Sequence, residues 1–275
     1  MADGPIGLAL GGGGALGFAH VAVLEVFDEL GLRPALIAGT SMGAVIGAFY
    51  ASGHTGREIA GFLRAARVRR ADLFRRLWRA RPRALSTMLG PLRATAGQLD
   101  AEQTLAAFAD LMAGDFADLR IPLRTVATDF YGWREVVSSE GRLLPAVAAS
   151  MALPFIFRPV MIGGRALIDG GVVNPLPFEH AALPDGLLVA VDVLGGPVAG
   201  VWRMPRPIEA LTGSMQLAMR AITAAKLGRQ GAPDILVEPS IRAFRPFDFG
   251  RLDAILGAGS ASKDDLKRRL SAALG

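Results

Sequence analysis

The sequence predicts an α/β fold in which helices flank a mostly parallel central sheet. Two units near the N-terminus indicate this fold, because in each a short apolar run leads into a glycine-rich turn and then into a helical pattern; the runs are 6–10 and 36–38. A third apolar run, 187–193, is typical of a strand that is buried on both faces of a sheet. In a parallel sheet the turns after neighbouring strands lie at one edge, so we expect the two glycine turns to be adjacent.

The elements can be assigned in chain order. The first unit comprises a strand at 6–10 and a helix over 15–30, whose apolar side chains recur at helical spacing until Gly31 ends it. The second comprises a strand at 36–38 and a helix over 42–52. The rest of the chain predicts strands at 121–128 and 134–137, a helix at 144–151, a hairpin of 160–162 with 165–168, a helix at 178–183, a strand at 187–193, a helix at 208–227, a strand at 235–237 and a basic helix at 262–274.

Composition limits both the organisation and the function. A chain of 275 residues with 51% apolar content can bury a large core, and one domain spanning 1–275 is expected, with a basic helical insertion at about 54–120 and a helical C-terminal part at about 200–275. The absence of cysteine excludes a disulfide framework, a thiol nucleophile and a cysteine-ligated zinc. The sequence has no apolar run of about 18 residues and no export signal, so a cytoplasmic protein is expected.

The second glycine turn, Gly39-Thr40-Ser41-Met42-Gly43, has the G-x-S-x-G pattern of a nucleophile elbow. The serine of such an elbow adopts a strained backbone conformation. Gly39 and Gly43 omit the side chains that would collide with the neighbouring strand and helix. Ser41 is therefore the candidate nucleophile.

The first glycine turn, Gly11-Gly12-Gly13-Gly14, is a candidate oxyanion hole, because successive glycines let several N–H groups point at one small volume. Gly12, Gly14 and Gly17 also form the G-x-G-x-x-G pattern of a dinucleotide site. That alternative is disfavoured, since the second strand ends in Ala38-Gly39-Thr40-Ser41, where a dinucleotide-binding unit carries an acidic residue for the ribose.

A candidate base follows the predicted hairpin, whose turn is Gly163-Gly164. Asp169 comes at the end of the second strand, and Gly170 and Gly171 allow the chain to turn at once. Spacing alone leaves two interpretations open. The carboxylate serves the serine as a general base, or it only caps local N–H groups in a common Asp-Gly-Gly turn.

In these motifs the chain resembles the patatin-like phospholipases, a family of serine lipid acyl hydrolases with a Ser-Asp dyad. The resemblance covers about 5–53 and 121–195, and it rests on three motifs in the same order, at 12–17, 39–43 and 169–171. It implies a three-layer α/β/α patatin-like fold, a phospholipid or other acyl-ester lipid as substrate, and neither a metal nor an organic cofactor. The roles that it implies are Ser41 as nucleophile, Asp169 as general base, an oxyanion hole of Gly12, Gly13, Gly14 and Met42, and supporting positions at Gly17, Gly39, Gly43, Gly170 and Gly171.

One departure from the family and several alternatives remain. Family members usually carry Arg or Lys where this chain has Leu16. A conventional Ser-His-Asp hydrolase needs a histidine after its acid, and of the three histidines, His20, His54 and His180, only His180 follows the candidate base. An esterase or thioesterase acting on soluble acyl substrates would use the same elbow. A membrane-associated scaffold with a vestigial site would not need the intact Ser41.

Basic residues are concentrated in the segment 57–93, which holds eleven arginines against two acidic residues in a chain of net charge +5. Apolar and basic side chains recur there at helical spacing on opposite sides. The apolar ones are Leu73, Phe74, Leu77 and Trp78, and the basic ones are Arg75, Arg76 and Arg79. Such a helix predicts peripheral contact with an anionic membrane, here the inner membrane surface, unless its apolar face packs on the core. No nucleic-acid-binding module is recognisable, and no nucleic acid is expected as a partner.

Overall fold

The structure is a computed structural model that describes residues 4–69, 99–195, 204–229 and 231–275. The predicted amphipathic helix around Leu73 and Trp78 lies outside these ranges, as does the part 70–98 of the predicted basic insertion. Within these ranges, no helix is both long enough and apolar enough to cross a membrane.

Eight strands of the described chain form a single mixed sheet. They are β1 (Ile6–Leu10), β2 (Leu36–Thr40), β3 (Leu123–Asp129), β4 (Arg134–Ser138), β5 (Val160–Ile162), β6 (Arg165–Asp169), β7 (Leu187–Val191) and β8 (Ile235–Val237). Five strands, in the order β3-β2-β1-β7-β8, run parallel, whereas β4 and β6 are antiparallel to β3 and β5 is antiparallel to β6. The predicted α/β fold with a mostly parallel central sheet is confirmed.

Helices flank this sheet. They are α1 (His20–Glu29), α2 (Met42–Ala51), α3 (Gly56–Arg69), α4 (Ala101–Ala106), α5 (Leu143–Ser150), α6 (Pro207–Leu227), α7 (Leu252–Ser260) and α8 (Lys263–Leu274). Two predictions differ from the structure. The helix predicted over 15–30 begins with a 3-10 turn, Gly14–Ala19, and the helix predicted over 178–183 is only the 3-10 turn Phe178–His180.

The two faces of the sheet carry side chains of different size, because alternate residues of a strand point to opposite faces. One face, which includes Leu8 and Ile37, belongs to the main core with residues of α1, α2, α5 and α7. The other face carries small side chains such as Ala9 and Ala38 and packs against Phe178. The central strands β1, β2 and β7 are thus buried on both faces, as their apolar sequences predict.

Two strands meet end to end on one edge of β3. β2 pairs with the first part of β3, where Thr40 lies opposite Val126, and β6 pairs with the last part, where Asp169 lies opposite Ala127. β4 occupies the other edge of β3 along this stretch. Because β2 and β6 approach from opposite directions, both end at the same point, and the residue after Thr40 lies beside Asp169.

Candidate active site

Ser41 lies in a sharp turn between β2 and α2. Its backbone has φ 54° and ψ −122°, a conformation that L residues rarely adopt. A Cβ on Gly43 would lie 2.0 Å from the carbonyl oxygen of Leu10, and a Cβ on Gly39 would lie 2.7 Å from the Cα of Ala44. Only glycine fits at these two positions, so the turn has the geometry of a nucleophile elbow.

A buried hydroxyl holds the strained turn. Ser150, the last residue of α5, donates to the carbonyl oxygen of Val126 at 2.6 Å and accepts the N–H of Ser41 at 2.9 Å. The hydroxyl of Thr40 adds a second tie, since it donates to the carbonyl oxygen of Asn174 at 2.9 Å. The sequence alone predicts no role for Ser150, because its partners, Ser41 and Val126, are distant in the chain.

The hydroxyl of Ser41 donates to Oδ2 of Asp169 at 2.6 Å. The other carboxylate oxygen, Oδ1, accepts the N–H of Gly171 at 2.7 Å. The carboxylate therefore makes the contacts that both interpretations require, since one oxygen faces the serine and the other caps the turn. Gly170 is required for this approach, because a Cβ there would lie 2.1 Å from the carbonyl oxygen of Val126.

Burial changes the acidity of Asp169, which is 2% exposed. Burial raises the pKa of its carboxyl from the ordinary 3.8 to about 6, although the hydrogen bonds from Ser41 and Gly171 act to lower it. A carboxylate with this pKa is a stronger base than an exposed aspartate, and it is still largely ionised at neutral pH. Both properties suit a general base.

The glycine loop packs directly against the elbow, since a Cβ on Gly12 would lie 3.3 Å from the Cβ of Ser41. The N–H of Gly12, however, donates to the carbonyl oxygen of Pro175 at 2.8 Å. This N–H is already engaged, so Gly12 is corrected from a predicted oxyanion donor to a residue that anchors the loop.

The other three predicted donors are the N–H groups of Gly13, Gly14 and Met42, which have no acceptor among the described residues. Met42 is the first residue of α2, where backbone N–H groups have no partner inside the helix. Gly14 has φ 57°, and a Cβ on Gly13 would lie 2.5 Å from the carbonyl oxygen of Val193. The loop therefore adopts a conformation that needs glycine, and it adjoins the serine at Gly12.

Buried side chains support the glycine loop from behind. His20 Nε2 lies 2.8 Å from the carbonyl oxygen of Gly11, and because a carbonyl only accepts, Nε2 carries the proton. Burial lowers the pKa of His20 to about 4, so the ring is neutral at physiological pH. Leu16 is fully buried and contributes to the core. Gly17 allows close packing, since a Cβ there would lie 2.5 Å from Cγ of Met42.

His180 belongs to a separate polar cluster. Its Nε2 lies 3.1 Å from Oε1 of Glu135, and Asn174 Nδ2 donates to Glu135 and to Glu179, in each case at 2.9 Å. Lys226 Nζ donates to Glu179 at 2.7 Å. The carboxylates of this cluster are therefore already paired with an ammonium and an amide, which argues against a metal site. The structure does not bring His180 to the serine, so the predicted Ser-His-Asp alternative lacks its central contact.

Comparisons with known proteins find relatives of this chain. A family model described as patatin-like phospholipase matches residues 8–182. An uncharacterized NTE family protein of Mycobacterium tuberculosis is 35% identical over 204 residues, which are 74% of this chain and 52% of that protein. A lysophospholipase of Pyricularia oryzae is 26% identical over 276 residues, which are 92% of this chain and 18% of that protein. The chain thus spans about half the length, or less, of these relatives.

Among solved structures, VipD from Legionella pneumophila has a similar fold, with a TM-score of 0.51 at 14% sequence identity. The match covers 98% of this chain and 67% of that chain. At this level of identity the likeness concerns the fold alone.

Proposed function

The chain belongs to the patatin-like phospholipase family, and on this premise we propose that it hydrolyses carboxylic esters of lipids, with Ser41 as nucleophile and Asp169 as general base. The observation that carries the proposal is the 2.6 Å hydrogen bond from Ser41 Oγ to Asp169 Oδ2, next to a glycine loop in which the N–H groups of Gly13 and Gly14 have no acceptor among the described residues. A phospholipid, a lysophospholipid or another acyl-ester lipid is the proposed substrate. The lysophospholipase of Pyricularia oryzae supports this class.

In the acylation step, Ser41 Oγ attacks the carbonyl carbon of the ester while its proton passes to Asp169 Oδ2. Negative charge develops on the carbonyl oxygen, which accepts hydrogen bonds from the N–H groups of Gly13, Gly14 and Met42. One such donor contributes roughly 3 kcal/mol of transition-state stabilisation. When the tetrahedral intermediate collapses, the bond to the leaving alcohol breaks, and the alcohol takes the proton from Asp169.

In the deacylation step, water attacks the acyl group on Ser41 while one of its protons passes to Asp169. The bond between Ser41 Oγ and the acyl carbon then breaks, the fatty acid leaves, and Oγ regains the proton from Asp169. The enzyme returns to its starting state, as a covalent mechanism of this kind requires.

Two features allow the carboxylate of Asp169 to act as the general base without a histidine. Burial raises the pKa of Asp169 to about 6, which brings it closer to the operating pH of a general base. The N–H of Gly171 donates to Oδ1 of Asp169 at 2.7 Å. This hydrogen bond holds the carboxylate so that its Oδ2 is directed at Ser41 before the substrate binds. The proton acceptor is thus oriented without further rearrangement.

Contact with an anionic membrane through the basic segment 57–93 is part of the proposal. The support is its eleven arginines in a chain of net charge +5. An esterase or thioesterase on soluble acyl substrates is the alternative within the same chemistry.

Labelling with an active-site-directed phosphonate, together with product analysis, tests the proposal. The substrate panel comprises phospholipids, lysophospholipids, acylglycerols, soluble short-chain esters and acyl thioesters. The wild-type protein should be labelled and should release fatty acid from the lipids of this panel, whereas Ser41→Ala should lose both properties and keep its Tm. Ser271→Ala, at an exposed serine on α8, is the matched control and should behave as the wild type. Full labelling of Ser41→Ala would refute the nucleophile, and hydrolysis confined to soluble esters or acyl thioesters would favour the alternative.

A further inference from the structure

Three aromatic side chains are exposed at the turn between β3 and β4. Trp133 is 89% exposed, Tyr131 80% and Phe130 54%, and we call these three residues the aromatic tip. The rings of Phe130 and Tyr131 contact each other edge to face, with centroids 5.1 Å apart. A contiguous group of exposed large apolar side chains marks a binding surface more often than a free one.

Hydrogen bonds order the turn that carries the aromatic tip. The N–H of Phe130 donates to the carbonyl oxygen of Ala166 at 3.0 Å, and the N–H of Trp133 donates to the carbonyl oxygen of Asp129 at 3.0 Å. The N–H of Gly132 donates to Oδ1 of Asp129 at 2.9 Å. The exposed rings therefore extend from a well-defined turn of the sheet.

Backbone strain accompanies the exposure. Trp133 has φ 54°, in the left-handed region that disfavours a bulky side chain, although its side chain is almost fully exposed. Phe155 shares both properties, with φ 71° and 61% exposure. It follows closely after Ala152, whose carbonyl oxygen accepts the N–H of Asp169 at 3.0 Å. Strain of this kind is typical of functional positions.

The aromatic tip projects from the end of the sheet that carries the serine. Thr40 lies opposite Val126, so Ser41 is level with Ala127, and Phe130 comes three residues further along the chain. At about 3.3 Å per residue, the tip begins about 10 Å beyond the serine along the strand direction. Elements that bind at a membrane interface are buried by about 5–10 Å, so docking through the tip would bring the serine to the level of the head groups.

Charged groups beside the aromatic tip favour phospholipid head groups. The side chains of Arg134 and Arg165 are 62% and 50% exposed, while that of Asp129, which lies 3.8 and 4.0 Å from them, is 7% exposed. The charge that reaches the surface here is therefore positive and complements lipid phosphates. Trp and Tyr are the side chains that concentrate at membrane–water interfaces.

We propose that the aromatic tip docks the protein on a phospholipid bilayer by inserting Trp133 and Tyr131 into the head-group region. The purpose of this docking rests on the proposed function, since a lipid hydrolase meets its substrate in a bilayer, but the docking itself is measurable without catalysis. Insertion of aromatic rings is only weakly sensitive to salt, whereas the contact that the arginines of the segment 57–93 make is electrostatic and is screened. High salt therefore removes the arginine contribution, and replacing the tip residues then isolates the part of the remaining binding that the aromatic tip provides.

Vesicle flotation with the full chain tests the proposal. Vesicles of diether phosphatidylcholine and diether phosphatidylglycerol contain no carboxylic ester, so the wild-type protein cannot consume them. At about 0.5 M NaCl, where surface electrostatics are largely screened, Trp133→Ser combined with Tyr131→Ser should lower the partition coefficient by about tenfold or more. Leu30→Ser is the matched control, because Leu30 is an exposed apolar residue at the end of α1, away from the aromatic tip. It should bind as the wild type does.

Further readouts keep docking separate from folding and from catalysis. Trp133→Gly should keep or raise the Tm while it weakens vesicle binding, because glycine relieves the positive φ. Equal binding by the double variant and the wild type, or no binding by the wild type, would overturn the proposal. Self-association that the double variant abolishes, without vesicle binding, would also overturn it and would identify a second copy as the partner. Normal docking of a protein that hydrolyses no lipid would support the docking and refute only the proposed function.

Discussion

Replacing Asp169 by asparagine is expected to stabilise the protein at alkaline pH while it removes activity. Asparagine keeps the shape of aspartate, and its Oδ1 can still accept the N–H of Gly171, but it carries no charge into the buried site. In the wild-type protein the pKa of Asp169 is raised from the ordinary 3.8 to about 6 in the folded state, with burial as the largest cause. The substitution removes that unfavourable burial of charge.

The sign and the size of the expected change in stability follow from this pKa. Between about pH 4 and pH 6 the folded protein retains a proton that the unfolded chain has released, so the free energy of unfolding of the wild type falls as pH rises through this window and levels off above it. A shift of roughly 2 units, at about 1.4 kcal/mol per unit, corresponds to about 3 kcal/mol. Asp169→Asn should therefore be about 3 kcal/mol more stable than the wild type at pH 8, or about 5–10 °C higher in Tm, with little difference near pH 4.

Thermal and urea unfolding of both proteins at pH 4 and pH 8 measures this difference. Asp118→Asn makes the same chemical change at an exposed position, and this matched control should unfold as the wild type does. If Asp169→Asn is less stable than the wild type at pH 8, the buried carboxylate is stabilising in its ionised form and the reasoning fails. Turnover of the same variant should fall by at least ~10², which is the usual loss when a general base is removed.

Activity should follow the ionisation of Asp169, so kcat/KM on a neutral ester should rise with pH and level off above about pH 6. A value of kcat/KM that falls as the pH rises towards 6 would contradict Asp169 as the base. His180→Ala should leave turnover within a few-fold, and a loss as large as that of Asp169→Asn would restore the Ser-His-Asp alternative. Ser150→Ala should lower the free energy of unfolding, measured in urea, by about 1–3 kcal/mol for each buried group that it leaves unpaired. It should also lower kcat more than it raises KM. Unchanged stability and unchanged kcat would show that the hydroxyl of Ser150 does not hold the elbow. Gly13→Ala should lower kcat/KM by ~10², because the added Cβ forces the loop to move. Leu16→Ala should keep turnover but lower the Tm, because it leaves a cavity in the core. A larger loss of activity in Leu16→Ala than in Gly13→Ala would mean that the oxyanion loop is assigned wrongly.

Local features of the N-terminal half could be predicted because neighbouring residues decide them. The strand predicted at 6–10 is β1 (Ile6–Leu10), and the turn predicted at Ser41 has φ 54°. Gly39 and Gly43 signal this turn in the sequence, because any larger residue there would collide with the backbone. Family membership follows from the same motifs and is confirmed by the comparisons.

Other features could not be predicted, because distant parts of the chain decide them. The N–H of Gly12 is engaged by the carbonyl oxygen of Pro175, and the hydroxyl of Ser150 reaches Ser41 from α5. The partner of His180 is Glu135 on β4 and not the serine. No pattern within a few residues of these positions encodes the contacts.

The sequence by itself determined the two strand–turn–helix units, the elbow serine and the candidate acid, since turn chemistry and apolar periodicity act over a few residues. Only the tertiary structure decided that the acid lies beside the serine and accepts its hydroxyl proton in a hydrogen bond. β2 and β6 share one edge of β3 and end at the same point, with Thr40 opposite Val126 and Asp169 opposite Ala127. β2 and β6 are more than a hundred residues apart in the chain, and their register on β3 is set by the packing of the whole sheet. The burial that raises the pKa of Asp169 follows from the same packing.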